Sequence, residues 1–190
     1  KVVLHHQEVT YAVASSDAAI FTETVRDSYR LISRALTAGL ELMGLAPDMA
    51  AASPPSYIKG NMPCFALPAQ DEIVVDGKKI IGSAQKRTGA TFVQHGSIPL
   101  DRDDALLAAV TAPAAASSAG GAGMTSLSEA LGCPVEFEWA VEHFCRGFSE
   151  SLGVNLEPIV LSPEDLEAIF PVSFIRQEGE TAREVPIPGP

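Results

Sequence analysis

The stretch from Glu72 to Ile98 constrains the fold more than any other part of the chain. Glu72 to Val75 and Lys78 to Ala84 are rich in β-branched residues and are joined by Asp76-Gly77. Asp-Gly accommodates the two positive φ angles of a tight primed turn, so the pair predicts a β-hairpin. Thr88-Gly89 supplies a second short connection, and Ala90 to Ile98, again β-branched and aromatic, predicts a third strand folding back across the first two. A meander of this kind has an apolar face to bury, and helices elsewhere in the chain must cover it.

The flanking sequence provides them. Val9, Tyr11 and Val13 alternate with Thr10 and Ala12, the period of a half-buried strand. From Thr22 to Met43 the apolar positions Val25, Tyr29, Ile32, Leu36, Leu40 and Met43 recur every three or four residues, and Gly44 ends the helix. Ala46 to Pro55, interrupted by prolines, predicts an irregular segment leading toward Cys64. Asp103 to Val110 predicts a short helix, and the Ala/Ser/Gly tract from Ala112 to Gly123 predicts a connector. Ser126-x-x-Glu129 is a capping box ahead of a short helix ended by Gly132. Pro134 then opens an amphipathic helix with Phe137, Val141, Phe144, Cys145 and Phe148 on one face and Gly153 as its stop. A strand from Val154 to Val160 and a capped helix from Ser162 to Ile169 complete the order. The fold class expected is therefore α+β, a mixed sheet flanked by helices, with one domain over residues 1–176 and a tail from Gln177 to Pro190.

Composition narrows the partners. The 190 residues carry 13 Lys+Arg against 24 Asp+Glu, a net charge of −11, which repels phosphate backbones and argues against nucleic acid as the main partner. The most apolar run, Ala105 to Val110, is far short of the ~18 residues that span a bilayer, so no membrane span is expected. Lys1 to His6 has neither the long apolar core nor the cleavage site of a secretory signal. Cys64, Cys133 and Cys145 form no CxxC pair and no ligand quartet with the histidines, so no metal site and no disulfide framework is expected, and a reducing cytoplasm fits.

Several residues are of types that carry chemistry. Cys64 lies in Asn61-Met62-Pro63-Cys64-Phe65, a loop stiffened by Pro63 and Pro68 that can present a thiol; free cysteine is more often a small buried hydrophobe. A thiolate needs a base or cation beside it, and the hairpin offers Lys78 and Lys79, whose side chains alternate so that only one faces a site. Gly82-Ser83-Ala84 puts three small residues inside a strand, a mark either of close approach to a ligand or of a bulge. His95, His5 and His6 are weak candidates taken singly. Cys133 and Cys145 read as structural. Lys78, Lys79, Lys86 and Arg87 form a basic island suited either to steering an acidic partner or to an ordinary charged hairpin.

The run Asp71-Glu72-Ile73-Val74-Val75-Asp76-Gly77-Lys78-Lys79-Ile80-Ile81-Gly82-Ser83-Ala84-Gln85, followed by Gln94-His95-Gly96-Ser97-Ile98, resembles the signature of the lipoate-protein ligase and octanoyltransferase family. The resemblance extends upstream to Val3-Leu4-His5 and Glu8-Val9-Thr10-Tyr11, and downstream to Thr125-Ser126-Leu127 and Glu129-Ala130-Leu131-Gly132. It implies a catalytic domain similar to biotin protein ligase and class II synthetases. It gives Lys79 a catalytic role at the acyl carbonyl, Gly82, Ser83 and Ala84 the wall of an acyl pocket, and His5, His95 and Gly96 positions near the bound acyl group.

Pro63-Cys64-Phe65 looks like the loop of the cysteine-dependent octanoyltransferases. There the thiol takes octanoate as a thioester from acyl carrier protein and passes it to a lysine of a lipoyl-domain protein such as the glycine cleavage H protein. This reading implies no cofactor. Two alternatives stand beside it. One is an ATP- and Mg-dependent lipoate-protein ligase, or one part of a two-part ligase; the other is a non-catalytic module binding acyl groups or lipoyl domains. Family members carry a further Arg-rich, Gly-Gly stretch upstream of Lys1, so the resemblance also implies a longer chain or a companion chain that supplies it.

Overall fold

The computed structural model describes residues 6–21, 24–50, 72–103, 105–106, 123–160 and 162–165. The chain divides into two units, Lys1–Leu156 and Glu157–Pro190. In the first, five strands form one sheet: β1 (Glu8–Ser15), β2 (Pro47–Met49), β3 (Ile73–Val75), β4 (Lys78–Thr88) and β5 (Thr91–Pro99), in the order β1-β5-β4-β3-β2. Among the described residues all four strand pairings are antiparallel, and a parallel bridge between Lys79 and Met124 makes the sheet mixed. Among the described residues, three helices have both ends described: α1 (Val25–Leu42), α2 (Leu127–Leu131) and α3 (Phe137–Leu152).

The expected hairpin forms for the expected reason. Asp76 and Gly77 take φ values of 51° and 73°, the two positive angles of a primed turn. β4 runs four residues past Ala84, to Thr88, and Gly89-Ala90 returns the chain into β5, with Thr88 opposite Thr91. One departure from regular pairing matters for the site. The register passes from Ile73 opposite Ile81 to Val74 opposite Lys79, so Ile80 is an extra residue on β4. This β-bulge breaks the alternation, and Lys79, Ile80 and Ile81 are all buried in succession.

Helix α1 begins at a Thr24 cap, whose hydroxyl accepts from the Asp27 backbone N–H at 3.0 Å. Its Ile32, Leu36 and Leu40 are fully buried and pack with Ile80, Ile81, Ile98, Phe92, Leu127 and Phe144 in one core. Helix α2 carries the expected capping box between Ser126 and Glu129. In α3, Ala140, Phe144 and Gly147 are buried, and Phe148 meets the Tyr11 ring of β1 at 6.4 Å.

The structure corrects several expectations. Pro47–Met49 is a short edge strand rather than irregular chain; a proline is tolerated there because an edge strand leaves some N–H groups outside the ladder. Val154 to Val160 is not a strand: Leu156, Ile159 and Val160 are exposed and no ladder receives them. Val25, Phe137 and Cys145, placed on buried helix faces by their spacing, are exposed, because they lie at the helix start or at the margin of the stripe. Cys133 is exposed as well. At Ser162 the expected cap is present, its hydroxyl accepting from the Asp165 backbone N–H at 3.1 Å. The Ala112 to Gly123 connector except Gly123, most of the Asp103 to Val110 helix, and the tail from Gln177 lie outside the described residues. Among the described residues, no helix is long and apolar enough to cross a membrane.

Candidate active site

Lys79, at the start of β4, is held through both its backbone and its side chain. Its backbone N–H donates to the Gly123 carbonyl at 2.9 Å, and its own carbonyl accepts from the Thr125 N–H at 2.9 Å. The segment ahead of α2 thus pairs with β4 at the point where β5 leaves it. The side chain is only 3% exposed, and its Nζ lies 2.6 Å from Glu72 Oε1. A buried ammonium is tolerated only when paired, and this pairing supplies that condition. Lys78, one residue earlier, points to solvent.

The small residues of β4 and β5 divide between the two faces of the sheet. Tyr11 lies opposite Gly96 and Gly96 opposite Ser83, so these three share a row. That face is covered by the helices, since Phe148 of α3 packs on Tyr11 and Ser28 of α1 reaches Gln85. Gly82, Ala84 and His95 belong to the other face, where Ala84 and His95 are exposed and Gly82 is buried. Ser83 and Gly96 are therefore separated by the thickness of the sheet from Gly82, Ala84 and His95. Cys64 and His5 lie outside the described residues.

On the helix-covered face a chain of polar side chains runs across the sheet. The Tyr11 and Ser83 hydroxyls are 2.7 Å apart, and Gln94 Nε2 donates to the Tyr11 oxygen at 3.2 Å. Gln85 Nε2 donates to Gln94 Oε1 at 3.0 Å and lies 3.2 Å from Ser28 Oγ. Arg87 Nη2 donates to the same Ser28 oxygen at 3.0 Å, with its guanidinium 4.9 Å from the centre of the Phe92 ring. Gln94 is completely buried, and such groups persist in a core only when hydrogen-bonded. Burial pushes the Tyr11 phenol pKa up, and the hydrogen bonds with Ser83 and Gln94 offset part of that rise.

Sequence reasoning did not single out Glu72, Gln85, Gln94 or Ser28 as interacting groups. The signal for two of them was present: Gln85 and Gln94 occupy the buried phase of strands whose other members are Ile81, Phe92 and Ile98. Glu72, just ahead of β3, carries no such signal. The basic island also changes. Lys79 is buried against Glu72 and Arg87 is engaged with Ser28, leaving Lys78 and Lys86 as its exposed members. Among the described residues no group of three or more His, Cys, Asp or Glu is arranged to hold a metal ion.

Comparison with known proteins agrees with this architecture. The chain is 36% identical over 178 residues to Octanoyltransferase LipM of Kyrpidia tusciae, a match covering 88% of this chain and 65% of that protein. It is 35% identical over 178 residues to Octanoyltransferase LipM of Brevibacillus brevis, covering 87% of this chain and 64% of the relative. The chain thus spans somewhat less than two thirds of these relatives. Among solved structures, lipoate-protein ligase A bound with ATP superposes with a TM-score of 0.62 at 18% identity, over 88% of this chain and 60% of that one. A bi-partite lipoate protein ligase from Thermoplasma acidophilum gives 0.60 at 18% identity, over 90% and 60%. These two share the fold, a sheet with helices of the lipoate-protein ligase type. Residues 1–149 match the family described as the lipoyl protein ligase A/B catalytic domain, and the chain belongs to that family.

Proposed function

We propose that the protein is an octanoyltransferase that moves an octanoyl group from an acyl-carrier thioester, through Cys64, to a lysine of a lipoyl-domain protein. The observation that carries this reading is the 36% identity with Octanoyltransferase LipM over 88% of the chain. The sequence Pro63-Cys64-Phe65 supports it by supplying a thiol in a segment that resembles the cysteine-dependent octanoyltransferases.

The chemistry balances in two steps. The Cys64 thiolate attacks the donor thioester carbonyl, the new C–S bond forms as the old one breaks, and the carrier leaves as a thiolate that takes up a proton. The lysine amine of the acceptor then attacks the octanoyl-Cys64 thioester; an amide forms, the amine gives up its proton, and Cys64 is released as thiol. Exchange between thioesters is close to isoenergetic and the amide is more stable, so no ATP is required. Lys79 serves both steps as a cation that favours thiolate over thiol and stabilises negative charge developing on the carbonyl oxygen. Gly82, Ser83, Ala84, His5, His95 and Gly96 are assigned to the acyl-binding region. Gly82, Ala84 and His95 form its sheet-face wall, while Ser83 and Gly96 act from the far side by fixing β4 and β5. The thiol needs a reducing compartment, and we assign the protein to the cytoplasm.

The test is octanoyl transfer by the full-length protein from octanoyl-acyl carrier protein to an apo lipoyl domain, with and without ATP and Mg²⁺. Transfer without ATP that Cys64→Ser abolishes is the expected result. Transfer that requires ATP and survives Cys64→Ser overturns it in favour of a ligase, and acceptor binding without any turnover overturns it in favour of a binding module.

A further inference from the structure

The ion pair between Lys79 and Glu72 joins a buried cation at the candidate site to a carboxylate that neither reaction step uses. Lys79 Nζ and Glu72 Oε1 are 2.6 Å apart, and the two side chains are 3% and 12% exposed. Both backbones are anchored. Lys79 is held between β3 and the Gly123 to Thr125 segment, and the Glu72 carbonyl accepts from the Ala50 N–H at 2.8 Å. The β-bulge at Ile80 lies beside Lys79, and bulges of this kind re-aim a neighbouring side chain.

A lysine side chain has four rotatable carbon–carbon bonds and a compact charge, so a fixed backbone alone does not fix its ammonium. We propose that Glu72 is a positioning residue that holds the Lys79 ammonium in place for acyl transfer without itself touching the acyl group. This proposal rests on the transferase reading for its catalytic consequence, while the positioning itself is open to separate measurement. With Glu72 replaced by glutamine, an uncharged group of equal size, the ammonium loses the Glu72 carboxylate and samples other rotamers. The lost alignment is expressed in the chemical step rather than in donor binding.

The experiment has two readouts on the full-length protein. In the first, amines are acetylated with acetic anhydride and the Lys79 peptide is quantified by mass spectrometry, with Lys78 as an internal exposed control. Glu72→Gln is expected to raise Lys79 labelling severalfold relative to Lys78, and Glu72→Asp to raise it less. Unchanged Lys79 labelling, in a variant whose melting temperature is also unchanged, overturns the positioning role whether or not the protein transfers octanoate. In the second readout, Glu72→Gln is expected to lower kcat roughly ten- to a hundredfold with the donor KM little changed, and to cost nothing further once Lys79→Gln is present. A kcat loss that adds fully to that of Lys79→Gln overturns action through Lys79. Wild-type protein without transfer activity overturns the transferase reading alone, because the labelling result still decides whether Glu72 holds Lys79.

Discussion

The Tyr11 hydroxyl lies 2.7 Å from the Ser83 hydroxyl although their strands, β1 and β4, are not neighbours in the sheet. The ring reaches across β5 at Gly96, the position opposite both residues, where β5 offers no side chain to obstruct it. Three residues of the sequence motif are thereby tied into one row on the helix-covered face.

Gly96→Ala tests that row. A Cβ at Gly96 would lie 2.2 Å from the Gly82 carbonyl oxygen and 2.6 Å from the Tyr11 ring. The backbone oxygen cannot yield without shifting β4, so the expected cost is about 1–3 kcal/mol. At roughly 2–4 °C per kcal/mol for a chain of this size, thermal melting will register it as a clear fall in Tm. An unchanged Tm would contradict the close approach.

Tyr11→Phe removes the oxygen that Ser83 and Gln94 both contact. Leaving the buried Gln94 and the half-buried Ser83 short of a partner costs about 1–3 kcal/mol, measurable by urea denaturation at neutral pH. The pH dependence has a definite sign. Burial holds the Tyr11 phenol pKa above its ordinary value, so on raising the pH the unfolded chain loses the proton first. The stability from the neutral phenol is fully present below about pH 10 and is lost as pH rises toward the folded-state value. Tyr11→Phe should remove that component, giving a shallower alkaline decline than wild type.

Gly147→Ala probes the crossing of α1 and α3. On an open helix face this change would stabilise by about 1 kcal/mol through helix propensity. Here the added carbon would meet Gly39 N at 2.5 Å and the Ala35 carbonyl oxygen at 2.6 Å, both backbone atoms. The helices must separate, and the expected sign reverses to a loss of about 1–3 kcal/mol, read from the same denaturation curves. A stabilised variant would show that the helices are not in backbone contact.

Local signals in the sequence located most of the framework. Asp76-Gly77 named its own turn, Ser126 and Glu129 their capping box, and Ile32, Leu36 and Leu40 the buried stripe of α1, because each depends on residues close in sequence. Pro47–Met49 has no signal of its own in the sequence, because three residues carry no period and its strand state comes from pairing with β3. The site was legible in part. The hairpin points to Lys79, yet nothing local marks Glu72 as its partner, since their contact depends on how β3 pairs with β4. The Tyr11–Ser83 contact was likewise hidden, spanning 72 positions of chain and an intervening strand.

The central claim is that Cys64 carries the octanoyl group as a thioester. The most direct measurement is the intact mass of the full-length protein before and after octanoyl-acyl carrier protein is added without ATP, with Cys64→Ser in parallel. The account predicts a single octanoyl adduct on the wild type that hydroxylamine removes, and none on the variant. An adduct that persists in Cys64→Ser, or an active protein that never acquires one, would contradict it.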